Sequence, residues 1–168
     1  MKYLIFPLFI IVFFSACSFK HDVHKDGKID VKKLSLLIMN SSSKIDKIEA
    51  VSLSRDVIYH SVFLANKYSV NTTALIHNTL VNLDIKDRGL CYHYAHDLRE
   101  FLKPKNYKSF EIKEIVAKRG EYFEHTALLL TRNDMQFQNS IVLDAWRNTG
   151  NLYFSKVRDD KSYKWELR

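Results

Sequence analysis

The 168-residue sequence has only 4 glycines, 2 prolines and 2 cysteines. So little glycine and proline excludes collagen-like, proline-rich and glycine/serine-linker architectures and leaves few points where the backbone must take unusual angles. Two cysteines build neither a disulfide-rich scaffold nor a four-thiolate zinc site, so each thiol requires its own explanation. The chain lacks the length for two full domains, while its 46% hydrophobic residues supply one core. Lys and Arg number 26 against 19 Asp and Glu, a formal charge of +7. The excess is dispersed, with no dense basic run and no nucleic-acid module, so no nucleic-acid partner is expected.

The first cysteine is explained by its setting. Lys2 precedes an apolar run from Tyr3 to Phe14, interrupted by Pro7 and followed by Ser15-Ala16-Cys17. A charged start, about a dozen apolar residues and small residues before a cleavage point mark an export signal, too short to span a bilayer. Phe14-Ser15-Ala16-Cys17 resembles a bacterial lipobox, with Phe14 where Leu is usual. The resemblance implies a signal peptide over 1–16, a lipid on Cys17, and an exported lipoprotein held to the membrane by that lipid. Ser18 follows in place of an aspartate, and the resemblance to known sorting signals then implies the periplasmic face of the outer membrane. An ordinary signal peptide cut nearby, or an uncleaved anchor, is the alternative.

Residues 17–30 read as a polar tether. Within 22–33, Asp22, Asp26 and Asp30 with Gly27 and Ile29 match much of a calcium loop, yet His24 and Lys33 occupy two ligand positions, Lys33 that of the bidentate Glu. Oxygen count and charge both fall short, so no metal is expected, and Asp30 is read as the cap of the next helix.

The domain over 31–168 reads as a helical half followed by a strand half, an α+β arrangement. Apolar spacing predicts helices over Val31–Met39, Ile45–Tyr68, Thr72–Leu83 and from Cys91 to before Pro104. In the second, Ile48, Val51, Val57, Ile58, Val62, Leu64 and Ala65 are the apolar set; in the third, Leu75, Ile76, Leu80 and Val81 are expected inward. Short apolar runs then predict strands at Phe110–Ala117, His125–Thr131, Ile141–Trp146, Leu152–Phe154 and Tyr163–Leu167, closely spaced and hence antiparallel.

Cys91, Ala95, Leu98 and Leu102 share one helical face, which puts Cys91 in the first turn, looking toward the core. There the helix dipole and free N–H groups favour thiolate, whereas an inert buried thiol is the plain alternative. A hairpin centred between Asp134 and Met135 sets His125 directly across from Asp144, and an acid in an apolar strand needs such a partner. Cysteine at a helix start, histidine on a strand and aspartate on the next supply the nucleophile, base and orienting acid of acyl transfer.

The segments Arg88-Gly89-Leu90-Cys91-Tyr92-His93-Tyr94-Ala95-His96-Asp97-Leu98, Glu124-His125-Thr126-Ala127-Leu128 and Val142-Leu143-Asp144-Ala145-Trp146-Arg147 resemble the transglutaminase-like branch of the papain-like cysteine hydrolases. His77-Asn78-Thr79-Leu80-Val81-Asn82 is similar to part of an exported bacterial subgroup. The resemblance, covering roughly Glu49 to Phe154, implies Cys91 as nucleophile, His125 as base and Asp144 as orienting acid. It also implies that the cysteine helix packs on a C-terminal antiparallel sheet. Tyr92-His93 stands where protease-like relatives carry acidic residues.

Asn78 and Asn82 are oxyanion candidates, and Trp146 and Arg147 are candidates for the cleft lining, or else a buried anchor and a surface charge. Offsets of two and five residues turn His93 and His96 about 200° and 140° away from Cys91, so the three do not converge on a metal. His60 and His77 read as hydrogen-bonded structural residues. The expected function is an envelope-anchored cysteine hydrolase, protease or amidase, that forms an acyl-enzyme on a protein or peptide amide and needs no cofactor. The alternatives are an acyltransferase forming amide crosslinks and an idle binding module of the same fold.

Overall fold

The computed structural model describes residues 27–168; the expected signal peptide, Cys17 and residues 22–26 of the calcium-like stretch lie outside them. Four helices, α1 (Gly27–Met39), α2 (Lys47–Lys67), α3 (Ala74–Asn82) and α4 (Cys91–Leu102), precede five strands, β1 (Glu111–Ala117), β2 (His125–Thr131), β3 (Ile141–Asp144), β4 (Tyr153–Lys156) and β5 (Trp165–Leu167). The strands form one antiparallel sheet in the order β4-β3-β2-β1-β5, an α+β architecture. No described helix is long and apolar enough to cross a membrane.

Helix α1 starts four residues earlier than the spacing predicts, so the last four tether residues are helical and Asp30 lies in the first turn, not at the cap. With 27–33 wound into helix, the second half of the calcium-like stretch forms no loop. Asp46 caps α2, its side chain accepting the Glu49 N–H at 2.8 Å. The buried face of α2 runs through Ala50, Leu53, Ser54, Val57, Ile58 and Ser61, and leaves Ile48 80% and Val51 45% exposed, contrary to expectation. Ser54 and Ser61 are tolerated inside because each donates to the carbonyl four residues back.

The central strands β2 and β3 are buried on both faces, as their unbroken burial shows. Leu128, Leu130, Ile141 and Leu143 meet α2 and α4 through Leu53, Val57, Leu98 and Leu102. Ala127, Leu129 and Val142 face the other way and are covered by the C-terminal segment through Val157 and Trp165. His125 and Asp144 continue that second row, since side chains alternate along a strand.

Strand β3 ends at Asp144, two residues short of the expected Trp146. Asp144 Oδ1 accepts the N–H groups of both Trp146 and Arg147 at 3.1 Å, folding the chain out of the sheet.

Candidate active site

Cys91 opens α4, preceded by a loop held at three points. His77, 1% exposed, places Nε2 2.9 Å from the Arg88 carbonyl. Asp97 takes the Arg88 guanidinium at 2.6 Å and is itself tied to Tyr68 Oη at 2.8 Å and Lys67 at 3.3 Å. His93 Nδ1 accepts the N–H groups of Gly89 and Leu90 at 3.1 and 3.2 Å. Gly89 sits at φ +128°, and a Cβ there would run into the His77 ring. This close approach needs glycine.

Helix α3 serves this loop. Its buried residues are Ala74 and His77, while Leu75 and Ile76 are 62% and 53% exposed, the reverse of the expected facing. The burial of His77 against the turn before Cys91 sets the helix rotation and turns the apolar pair outward. His60 makes a stacked pair with Phe101, centroids 3.7 Å apart.

The histidine and aspartate meet, though by a different register from the one expected. Leu128 pairs with Leu143 and Leu130 with Ile141, two residues displaced from a ladder that would set His125 directly opposite Asp144. The 3-10 turn Phe137–Asn139, locked by the buried Ser140 Oγ to Thr131 Oγ1 contact of 2.7 Å, lengthens the loop on the β3 side. A shift of two keeps each side chain on its face, so His125 and Asp144 become diagonal neighbours. His125 Nε2 lies 2.7 Å from Asp144 Oδ2, with the two residues 2% and 1% exposed.

Asp144 receives only donors. Besides His125 and two backbone N–H groups, Arg147 Nε reaches Oδ2 at 3.0 Å. Arg147 then grips Asp160 through both terminal nitrogens, at 3.1 and 2.7 Å, and Trp165 Nε1 donates to the same acid at 2.9 Å. Arg147 is thus a largely buried bridge between two carboxylates, with its guanidinium 3.8 Å from the Tyr153 ring centroid, and does not project as a free surface charge. Trp146, Tyr163 and Trp165 surround the His125 ring with centroids 4.6–5.4 Å away. Asn78 Oδ1 accepts Trp146 Nε1 at 2.9 Å, and Asn82, the last residue of α3, is exposed.

Burial opposes a proton on His125, but its hydrogen bond to Asp144, the neighbouring Cys91 thiol and the charge of Asp144 outweigh it and push its pKa up to about 9. Burial likewise opposes charge on Asp144, yet His125 and Arg147 hold its carboxyl below the usual range. His125 Nδ1 is buried with no hydrogen-bond partner at ordinary distance. It is the nitrogen left for Cys91, whose half-buried thiol also lies 3.9 Å from the Glu124 carbonyl. The described residues therefore bring a free thiol, an imidazole and a buried carboxylate together in that order.

No family model, curated protein or solved structure matches the chain. Among the described residues no three His, Cys, Asp or Glu side chains are grouped to hold a metal ion. Sequence reasoning missed the supports of the site: Arg88, Asp97 and Asp160. One signal was present for the first two, since Gly89, one of 4 glycines, stands two residues before the cysteine and marks a constrained turn. Asp160 joins the site only through the fold of the last 20 residues, and no local pattern announces it.

Proposed function

We propose that the protein is a cysteine hydrolase, a protease or amidase of the transglutaminase-like, papain-like type, which cleaves a protein or peptide amide through Cys91, His125 and Asp144. The observation that carries the reading is the His125 ring, bound through Nε2 to buried Asp144 and left with a buried, unpartnered Nδ1 on the Cys91 side. Asp144 fixes the tautomer and the ring plane. Nδ1 is then the atom that takes the Cys91 thiol proton.

The thiolate attacks the substrate carbonyl carbon, and the carbonyl π electrons move onto oxygen. The first N–H groups of α4 have no intrahelical acceptor, so the Cys91 N–H is a donor for that oxyanion; the second candidate is the amide NH2 of Asn78, whose oxygen is held by Trp146 Nε1. Collapse breaks the C–N bond while His125 Nδ1–H protonates the leaving amine. Water, deprotonated by the same nitrogen, attacks the thioester and restores the free thiol. An amine in place of water would give a crosslink. In this reading the imidazolium formed on proton transfer lies between Cys91 and Asp144, where the raised pKa of His125 favours it.

A cavity of about 480 Å³ lies between α4 and β1, lined by Leu102, Tyr107, Phe110 and Ile112. Leu102 is ~16 Å along the helix axis from Cys91, so this cavity lies far from the thiol. The lipobox-like Cys17 supports export and anchoring by a lipid, with substrates in the cell envelope and the outer membrane as the place of attachment. The test is a peptide-amide library offered to wild type, Cys91→Ala and His125→Ala. Turnover confined to wild type supports the reading, and turnover retained by Cys91→Ala refutes it.

A further inference from the structure

One of the three ties that fasten the loop presenting Cys91 is made by an imidazole that accepts backbone N–H groups. A helix start leaves backbone N–H groups without partners, and here the side chain at the cap position is that of Leu90, which has no acceptor. A single atom, His93 Nδ1, accepts both the Gly89 and the Leu90 N–H. This is the work that Glu or Gln performs in a capping box, carried out by an imidazole.

We infer that His93 is a positioning residue for the proposed nucleophile: its neutral imidazole fixes the Gly89–Leu90 backbone, and with it the start of α4 and the aim of the Cys91 thiol, and protonation releases them. The inference rests on the cysteine-hydrolase reading. Imidazolium has N–H at both nitrogens and cannot accept, so a proton on Nδ1 replaces two hydrogen bonds with two donor–donor contacts. The remaining ties are His77 to the Arg88 carbonyl, Asp97 to the Arg88 side chain, and the His93 and Tyr94 N–H groups to the Leu90 carbonyl, and none of them holds the Gly89 or Leu90 N–H.

The groups facing His93 decide where the switch lies. From the preceding loop comes Arg88; from α4 come Asp97, His96 and Tyr92, the last with its ring 4.2 Å away; from α2 comes Tyr68, whose hydroxyl donates to the His93 carbonyl; Lys67 of α2 pairs with Asp97, and His77 of α3 with the Arg88 carbonyl. Burial and the charge of Arg88 disfavour a proton on His93, His96 adds to them, and Asp97 opposes, leaving its pKa below the ordinary 6.5. A depressed histidine contributes stability that is present above 6.5 and lost as pH falls through the folded value. The cap is therefore in place at neutral pH and opens on acidification. His125 titrates on the alkaline side, at about 9, so an acid transition of this kind does not come from it.

The test uses full-length wild type, His93→Gln and His93→Ala. It follows the ¹⁵N shifts of the Gly89 and Leu90 amides and the iodoacetamide alkylation rate of Cys91 from about pH 4.5 to 8, the range in which histidine titrates. In wild type both amides are expected to move with the His93 ring, at a midpoint below 6.5, and the alkylation rate to show an inflection at that midpoint. His93→Gln, which supplies an acceptor that does not titrate, should hold the amides still and abolish that inflection, with an unchanged rate at pH 7.5. His93→Ala should alkylate several-fold more slowly at neutral pH, about what loss of a cap produces. Amides that ignore the His93 titration, an inflection retained in His93→Gln, or a wild-type rate in His93→Ala would overturn the inference. Amides that follow His93 beside a thiol unreactive at every pH would uphold the cap but overturn both the hydrolase reading and the positioning role built on it.

Discussion

Replacing Asp144 by Asn probes the buried pair with almost no change of shape. The carboxylate accepts four donors: His125 Nε2 at 2.7 Å, Arg147 Nε at 3.0 Å, and the N–H groups of Trp146 and Arg147 at 3.1 Å. An amide has one oxygen, which the two backbone N–H groups will claim, leaving its NH2 toward Arg147 and His125. Arg147 cannot accept. His125 can, by moving its proton from Nε2 to Nδ1, and Nδ1 is the atom the mechanism needs free. Breaking a buried charged pair costs about 3–5 kcal/mol. At a urea dependence of about 2 kcal/mol per molar, the unfolding midpoint should fall by about 2 M. Turnover should fall further, by on the order of 10⁴, as expected when the base is held in the wrong tautomer. Urea unfolding gives the first quantity, ¹⁵N shifts of the His125 ring read above its pKa of about 9 give the tautomer, and hydrolysis of a peptide found by library screening gives the third. A variant that keeps the wild-type midpoint and the Nε2–H tautomer would refute this account of the pair.

Three further expectations follow from the same structure. His125, raised to about 9 against 6.5 when unfolded, contributes about 3 kcal/mol that is fully present below pH 6.5 and lost as pH rises through 9; urea unfolding against pH should show this decline in wild type and not in His125→Gln. Gly89→Ala combines a left-handed φ with a clash against His77, and should lose about 2 kcal/mol of stability by chemical denaturation, whereas an Ala at the open Gly120 meets no side chain. Glu49 accepts the Lys108 and Ser109 N–H groups and the Ser109 hydroxyl, so Glu49→Ala should cost about 1–3 kcal/mol in the same assay, and Glu49→Gln, which keeps one oxygen, less.

The helices and strands were legible because their periods are strong: the Cys91 helix and the His125 strand start on the expected residues. Facing was harder to read. Leu75 and Ile76 are as apolar as a core residue, and only the contact of His77 with the turn before Cys91, made across the fold, shows that the helix is rotated the other way. The histidine and aspartate shared a face in the sequence because parity survives a shift of two residues; their exact pairing did not, since it depends on a 3-10 turn with no marked spacing. Arg147 read as a cleft or surface charge because its second carboxylate, Asp160, lies 13 residues on and reaches it only through the C-terminal segment. The helical projection turned His93 away from Cys91 but did not show what it holds, because it describes side chains around an axis and says nothing of one that folds back over the helix start.

The central claim is that Cys91 and His125 act as one nucleophilic pair. Its most direct measurement is intact-protein mass spectrometry of the folded chain with a peptide aldehyde or chloromethyl ketone, comparing wild type, His125→Ala and Cys91→Ala. The account expects one covalent adduct, mapped to Cys91, formed rapidly by native wild type, far more slowly by His125→Ala and not at all by Cys91→Ala. Modification of Cys91 only after unfolding, or at equal rates with and without His125, would contradict it.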